Sequence, residues 1–182
     1  KINKKSNILL WDNSKIKPTK KQIVRRDKSL SKILSDVLKN LENNNVNYWI
    51  DSSALLTVIR KENLSIRSDF DIAIDINHFK IVKQLFKTTN FYTFHSIKLN
   101  KNKIKCFFVS KDNYLNFEPA VVDLIFRDLS KNKYVYDFLN YKKKYPKQYF
   151  LKFRYIKYKN FEFKTPYNTK NYLKYLYGNW KL

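Results

Sequence analysis

Glycine is nearly missing from this chain: Gly178 is its single copy in 182 residues. Any turn that must approach a phosphate closely is therefore built from bulkier residues. Cysteine also occurs once, which excludes an intrachain disulfide and a thiolate zinc cluster. Cys106 lies in the apolar run Cys106-Phe107-Phe108-Val109 and reads as a small core residue rather than a nucleophile. Methionine is absent even at position 1, as expected of a piece of a longer protein. No apolar stretch approaches the roughly 18 residues of a membrane span, and no signal-peptide pattern is present. The expected setting is reducing and cytoplasmic, with peripheral contact at an anionic inner-membrane surface. Acid is scarce, 15 Asp+Glu against 38 Lys+Arg, for a formal charge of +23. Such a surface attracts nucleic acid, anionic lipid headgroups and phosphorylated substrates alike, so charge alone does not choose among them. The abundance of Lys, Asn, Ile and Tyr is also what AT-rich coding produces.

The length suits one domain with an ordinary core. Residues 1–26 are basic and poorly patterned and read as an arm, leaving 27–182 as the folded domain. Leu30, Ile33, Leu34, Val37, Leu38 and Leu41 repeat at helical spacing, with Asp27 or Ser29 as the N-cap and Asn43-Asn44-Asn45 as the stop. Tyr48-Trp49-Ile50 reads as a short strand, and a helix after Asp51-Ser52-Ser53-Ala54 turns Leu55, Leu56 and Ile59 inward. Residues 69–76 alternate strictly, Phe70, Ile72, Ile74 and Ile76 on one face and Asp69, Asp71, Ala73 and Asp75 on the other. Asn77 is placed to cap a helix burying Phe79, Ile81, Val82, Leu85 and Phe86. Strand-like runs follow at 91–99, 104–109 and 117–126, an aromatic and basic hairpin at 149–163, and a last helix at 168–177 stopped by Gly178. The expected class is α+β, a central mixed sheet flanked by helices.

Chemistry is expected where Asp69 and Asp71 share one strand face, about 6–7 Å apart along the strand. Carboxylates that close are costly to ionise together without a cation between them, and a hard ion such as Mg²⁺ (or Mn²⁺) takes carboxylate oxygens. Asp123, the one acid in Ala120-Val121-Val122-Asp123-Leu124-Ile125-Phe126, is the best third ligand, because an acid in an apolar run needs a partner. A strand, a small-residue turn, a helix start and a polar spacer precede the pair, an order similar to nucleotidyltransferases, where the helix N-terminus approaches phosphate. A nucleotidyltransferase-like fold is the expectation.

The chain also resembles the LicD family of phosphocholine and polyol-phosphate transferases, which includes the fukutin-related proteins. Asp51-Ser52-Ser53-Ala54-Leu55-Leu56-Thr57-Val58-Ile59-Arg60 is similar to the family's opening motif, with Ser for both of its glycines and Ala54 for its Thr. Arg67-Ser68-Asp69-Phe70-Asp71-Ile72 is similar to its acidic signature, with Arg67 at an acidic position. Pro166 followed by Leu173 to Trp180 resembles its closing Pro…Leu-x-x-x-Tyr-Gly-x-Trp. The resemblance implies that Asp69, Asp71 and Asp123 hold Mg²⁺, that Asp123 completes the metal shell or acts as base, and that Ser52, Ser53, Arg60 and Arg67 bind substrate. It also implies a CDP-linked donor carrying phosphocholine, ribitol phosphate or glycerol phosphate, and a cell-surface glycan as acceptor. The alternatives are transfer of a nucleoside monophosphate to a small molecule, protein or RNA, and a non-catalytic basic module that binds polyanions. Nucleic acid is the less favoured partner, since the Tyr and Lys of 142–159 suit a hairpin with one aromatic face buried. His78, His95 and Asp75 are expected to be structural or solvated, and Tyr177 and Trp180 to pack the terminal helix.

Overall fold

The computed structural model describes residues 19–67, 69–100, 103–112 and 119–180. Most of the expected arm, 1–18, lies outside these residues, as do positions 117 and 118 of one expected strand. Residues 20–26, expected as part of the arm, are instead the first turns of helix α1, Lys20–Asn43. Its N-cap is Thr19 rather than Asp27 or Ser29. The Thr19 hydroxyl accepts from the Gln22 amide and the Gln22 side chain accepts from the Thr19 amide, a reciprocal cap that satisfies two otherwise orphaned donors. Asp27 accepts from the backbone amide of Ser65 at 3.0 Å, and the Arg26 guanidinium donates to the Ser65 carbonyl. Tertiary contacts thus hold the helix where its sequence pattern is weakest.

Chain order continues with β1 (Tyr48–Ile50), α2 (Ser52–Arg60), β2 (Asp69–Asp75), a 3-10 turn and α3 (Phe79–Leu85). Strands β3 (Tyr92–Asn100), β4 (Lys103–Ser110), β5 (Val121–Asp128), β6 (Tyr134–Asp137) and β7 (Lys144–Pro146) follow. The hairpin β8 (Phe153–Tyr158) and β9 (Phe161–Pro166) leads into α4 (Thr169–Tyr177). The main sheet runs β1-β2-β5-β4-β3, with β6 on the far end of β5 and β7 on β6. The β2–β5 pair is parallel and the others are antiparallel. This is the α+β class with a central mixed sheet and flanking helices.

One sheet face is apolar throughout. Phe70, Ile72, Ile74, Val122, Leu124, Phe126, Cys106 and Phe108 are buried there, and α1 packs on β4 and β5 through Leu30, Ile33, Leu34, Val37 and Leu41. Burial pushes the Cys106 thiol pKa up, in keeping with a core residue. Two local expectations fail. Asn77 does not cap α3: the N-cap of that helix is His78, with no side-chain cap, and Asp75 instead caps the preceding 3-10 turn, its carboxylate accepting from the Asn77 amide at 3.0 Å. Ile81 is 38% exposed because α3 is only seven residues long and its buried position is Val82. Strands β6 and β7 were not foreseen, since Tyr134–Asp137 and Lys144–Pro146 are too short for alternation to register. No described helix is long and apolar enough to cross a membrane.

Candidate metal centre

Period-two geometry in β2 sends Asp69 and Asp71 to the face opposite the core. Parallel pairing with β5 sets Asp71 directly beside Asp123. One carboxylate oxygen from each of Asp69, Asp71 and Asp123 lies within 4.8 Å of the others. Asp71 is buried and Asp69 and Asp123 are half-buried, so three acids share a poorly solvated space. Burial, then the charges of Asp69, Asp51 and Asp123, push the Asp71 pKa up to about 7; the Ser53 hydroxyl, 3.2 Å from its Oδ2, opposes them weakly. Burial also raises the Asp123 pKa against the pull of the Lys105 ammonium, which sits 2.9 Å from Oδ2. The other oxygen, Asp123 Oδ1, is buried with no hydrogen-bond partner.

A hard divalent cation fits this set. It accepts several carboxylate oxygens at once, it removes the repulsion that raises Asp71, and it gives Asp123 Oδ1 the partner that the protein does not. Mg²⁺ and Mn²⁺ both suit an all-oxygen site.

The turn beside it is held from behind. Asp51 is wholly buried and caps α2, its Oδ1 accepting from the Ser52 amide at 2.7 Å. Its Oδ2 accepts from Arg127 Nη2 at 2.8 Å and Nε at 3.3 Å, and the Tyr172 hydroxyl donates to Oδ1 at 2.6 Å. Arg127 also donates to Asp137 at 2.8 Å, with its guanidinium carbon 4.4 Å from the centre of the Tyr145 ring. Burial works against the guanidinium's charge, but Asp51 and Asp137 hold it protonated. The Asp51 amide donates to the Asp71 carbonyl at 3.1 Å, so the braced turn and the acidic strand move as one piece.

Sequence reasoning had weighed Asp51 only as a motif letter and had missed Arg127, Asp137, Tyr145 and Tyr172. The signal available was Arg127 itself, a cation closing the same apolar run as Asp123. Ser52 sits at φ 48°, in the left-handed region that favours glycine, at the position where a glycine would cost nothing. Ser52→Gly is therefore expected to raise stability by about 0.5–1 kcal/mol, the relieved strain exceeding the added chain entropy. Urea denaturation reads this directly; a loss would mean that the Ser52 side chain makes a stabilising contact.

Arg60 and Arg67 both have partners within the protein. Arg60 donates from Nε at 3.0 Å, and from Nη2, to the Trp180 carbonyl, tying the end of α4 to α2. Arg60 and Arg67 each lie 3.7 Å from Glu62. The Tyr177 pKa is pushed up to about 12 by burial, Asp71 and Asp51, while Arg67 pulls it down. Trp180 and Tyr172 are packed and buried, Tyr177 is 43% exposed, and His95 stacks on Phe107 at 4.8 Å.

No family model matches the chain, and no curated protein matches it. The resemblance to the LicD family is corrected by these results. No family model supports it, and among the residues that carry it Asp51, Leu173 and Trp180 are buried, so packing accounts for their spacing. Among solved structures, the chain is similar to a lincosamide antibiotic adenylyltransferase, LnuA, with lincomycin bound, at 15% identity and a TM-score of 0.47 over 90% of this chain and 89% of that one.

Proposed function

We propose that this chain is a divalent-metal-dependent nucleotidyltransferase, transferring a nucleoside monophosphate from a nucleoside triphosphate to a hydroxyl. One observation carries the reading: Asp69 and Asp71 on β2 and Asp123 on the parallel neighbour β5 converge within 4.8 Å, beside the N-terminus of α2.

A metal ion held by Asp69, Asp71 and Asp123 supplies electrostatic stabilisation of charge developing on the phosphate oxygens. The remaining work falls to side chains. Ser52 and Ser53 open α2; Asp51 holds the Ser52 amide, and the Ser53 and Ala54 amides, without partners within the helix, suit a phosphate oxygen. With Oδ1 turned to the ion, Asp123 Oδ2 is the oxygen left to take the acceptor's proton. The acceptor oxygen then bonds to the α-phosphorus as the α–β phosphoanhydride bond breaks, and pyrophosphate departs. Tyr177, which feels the charges of Asp71, Asp51 and Arg67, and Arg67 itself are the further candidates for contact with substrate. Asp51 and Arg127 act as positioning residues through the turn.

The test is to incubate the protein with Mg²⁺ or Mn²⁺ and each of the four triphosphates labelled at the α- or γ-phosphate. Small-molecule, RNA and protein fractions serve as acceptors. Label from the α-position is expected in one fraction, and γ-label in pyrophosphate. Transfer of γ-label to an acceptor, or no nucleotide binding with either ion, would overturn the proposal.

A further inference from the structure

The cluster already has a cation beside it. Lys105 on β4 sits with its ammonium 2.9 Å from Asp123 Oδ2, and 5.4 Å from the centre of the Phe107 ring. Phe107 is the register partner of Asp123 across β4 and β5, so this lysine reaches the acids along the same open sheet face. Its side chain is 40% exposed against 14% for Asp123. A half-wet lysine on a flexible stem makes a single-point contact that is easily exchanged, unlike a buried two-armed arginine pair.

We propose that Lys105 is the resident counter-ion of the carboxylate cluster, that a divalent ion displaces it from Asp123, and that the freed ammonium then binds the donor's polyphosphate. The inference rests on the metal reading above. An ammonium and a divalent ion a few Å apart repel strongly in a partly desolvated space. They therefore compete for Asp123 rather than share it. Once displaced, the ammonium remains tethered beside the site while the incoming polyphosphate brings several negative charges to it. Lysine is suited to both states, as a point charge that serves carboxylate and phosphate equally.

Mn²⁺ binding is followed by the loss of its free electron-paramagnetic-resonance signal at pH 8, in the native protein, Lys105→Met, Lys105→Gln and Asp71→Asn. Thermal melts confirm that each variant is folded. Both Lys105 variants are expected to bind Mn²⁺ about tenfold tighter, and, once loaded, to bind inorganic tripolyphosphate about tenfold more weakly. Unchanged or weaker Mn²⁺ binding in both variants overturns the inference; if the native protein still binds and Asp71→Asn does not, the metal reading stands. Binding by the Lys105 variants alone supports displacement, and binding by no protein overturns both. Unchanged tripolyphosphate affinity overturns the second role of Lys105.

Discussion

Asp71→Asn is expected to lose roughly 10³-fold in transfer rate, about 4 kcal/mol of transition-state stabilisation, while the metal-free protein becomes more stable. The two effects have one cause. Asp71 is buried beside Asp69, Asp51 and Asp123, and its pKa rises from 3.8 in the free side chain to about 7 in the fold. A carboxyl whose folded pKa is raised binds its proton more tightly when folded, so its ionisation destabilises the fold. The penalty is absent below about pH 4, grows as pH climbs toward 7 and is complete above it. Asn removes it. The expected gain is on the order of 1–2 kcal/mol at pH 8, seen as a melting temperature higher by a few degrees, and it vanishes at pH 4. Saturating Mn²⁺ should stabilise the native protein and leave Asp71→Asn unmoved. If the variant keeps its transfer activity, Asp71 does not hold the working ion; if neither the native protein nor the variant transfers nucleotide, the non-catalytic, polyanion-binding alternative gains. That alternative also predicts binding that weakens steeply with salt.

Arg127→Met, at a side chain only 1% exposed, should cost about 3–5 kcal/mol of folding stability and lower the melting temperature by roughly 10 °C. The loss of attraction is the smaller part. Asp51, 0% exposed, would be left as a buried carboxylate with only the Tyr172 hydroxyl and the Ser52 amide for company. The double variant Asp51→Asn with Arg127→Met removes both charges, and should recover about half of the loss. Asp137 tolerates the change better, because its side chain retains 14% exposure. Chemical denaturation of the two single variants and the double variant measures the coupling. A loss below about 1 kcal/mol for Arg127→Met would show that the network does not brace the turn.

The legible parts of this molecule were those with local periodicity. Strict alternation over 69–76 located β2 and the face of its two acids, and an acid inside the apolar run 120–126 located the third. Helix α2 and its turn followed from Ser52-Ser53 and the apolar spacing after it, and Gly178 marked the end of α4, where φ is 64°. The weak patches were those where partners come from far along the chain. Thr19 and Gln22 cap α1 well ahead of its apolar repeat, and contacts with Ser65 hold that end in place. The LicD resemblance failed for a related reason, since residues such as Leu173 and Trp180 carry a spacing that packing alone explains.

What the sequence by itself determined is which acids share a strand face and which acid stands alone in an apolar run. Period two fixes the side of a strand that a side chain takes, and burial leaves an acid among Val, Leu and Ile no alternative to finding a partner. Only the tertiary structure decided the distances. Parallel registry of β2 on β5, set by a crossover through two intervening strands, placed Asp123 beside Asp71. The same sheet brought Lys105 to Asp123 and Arg127 to Asp51, pairs 18 and 76 positions apart in a chain whose local patterns cannot encode such contacts.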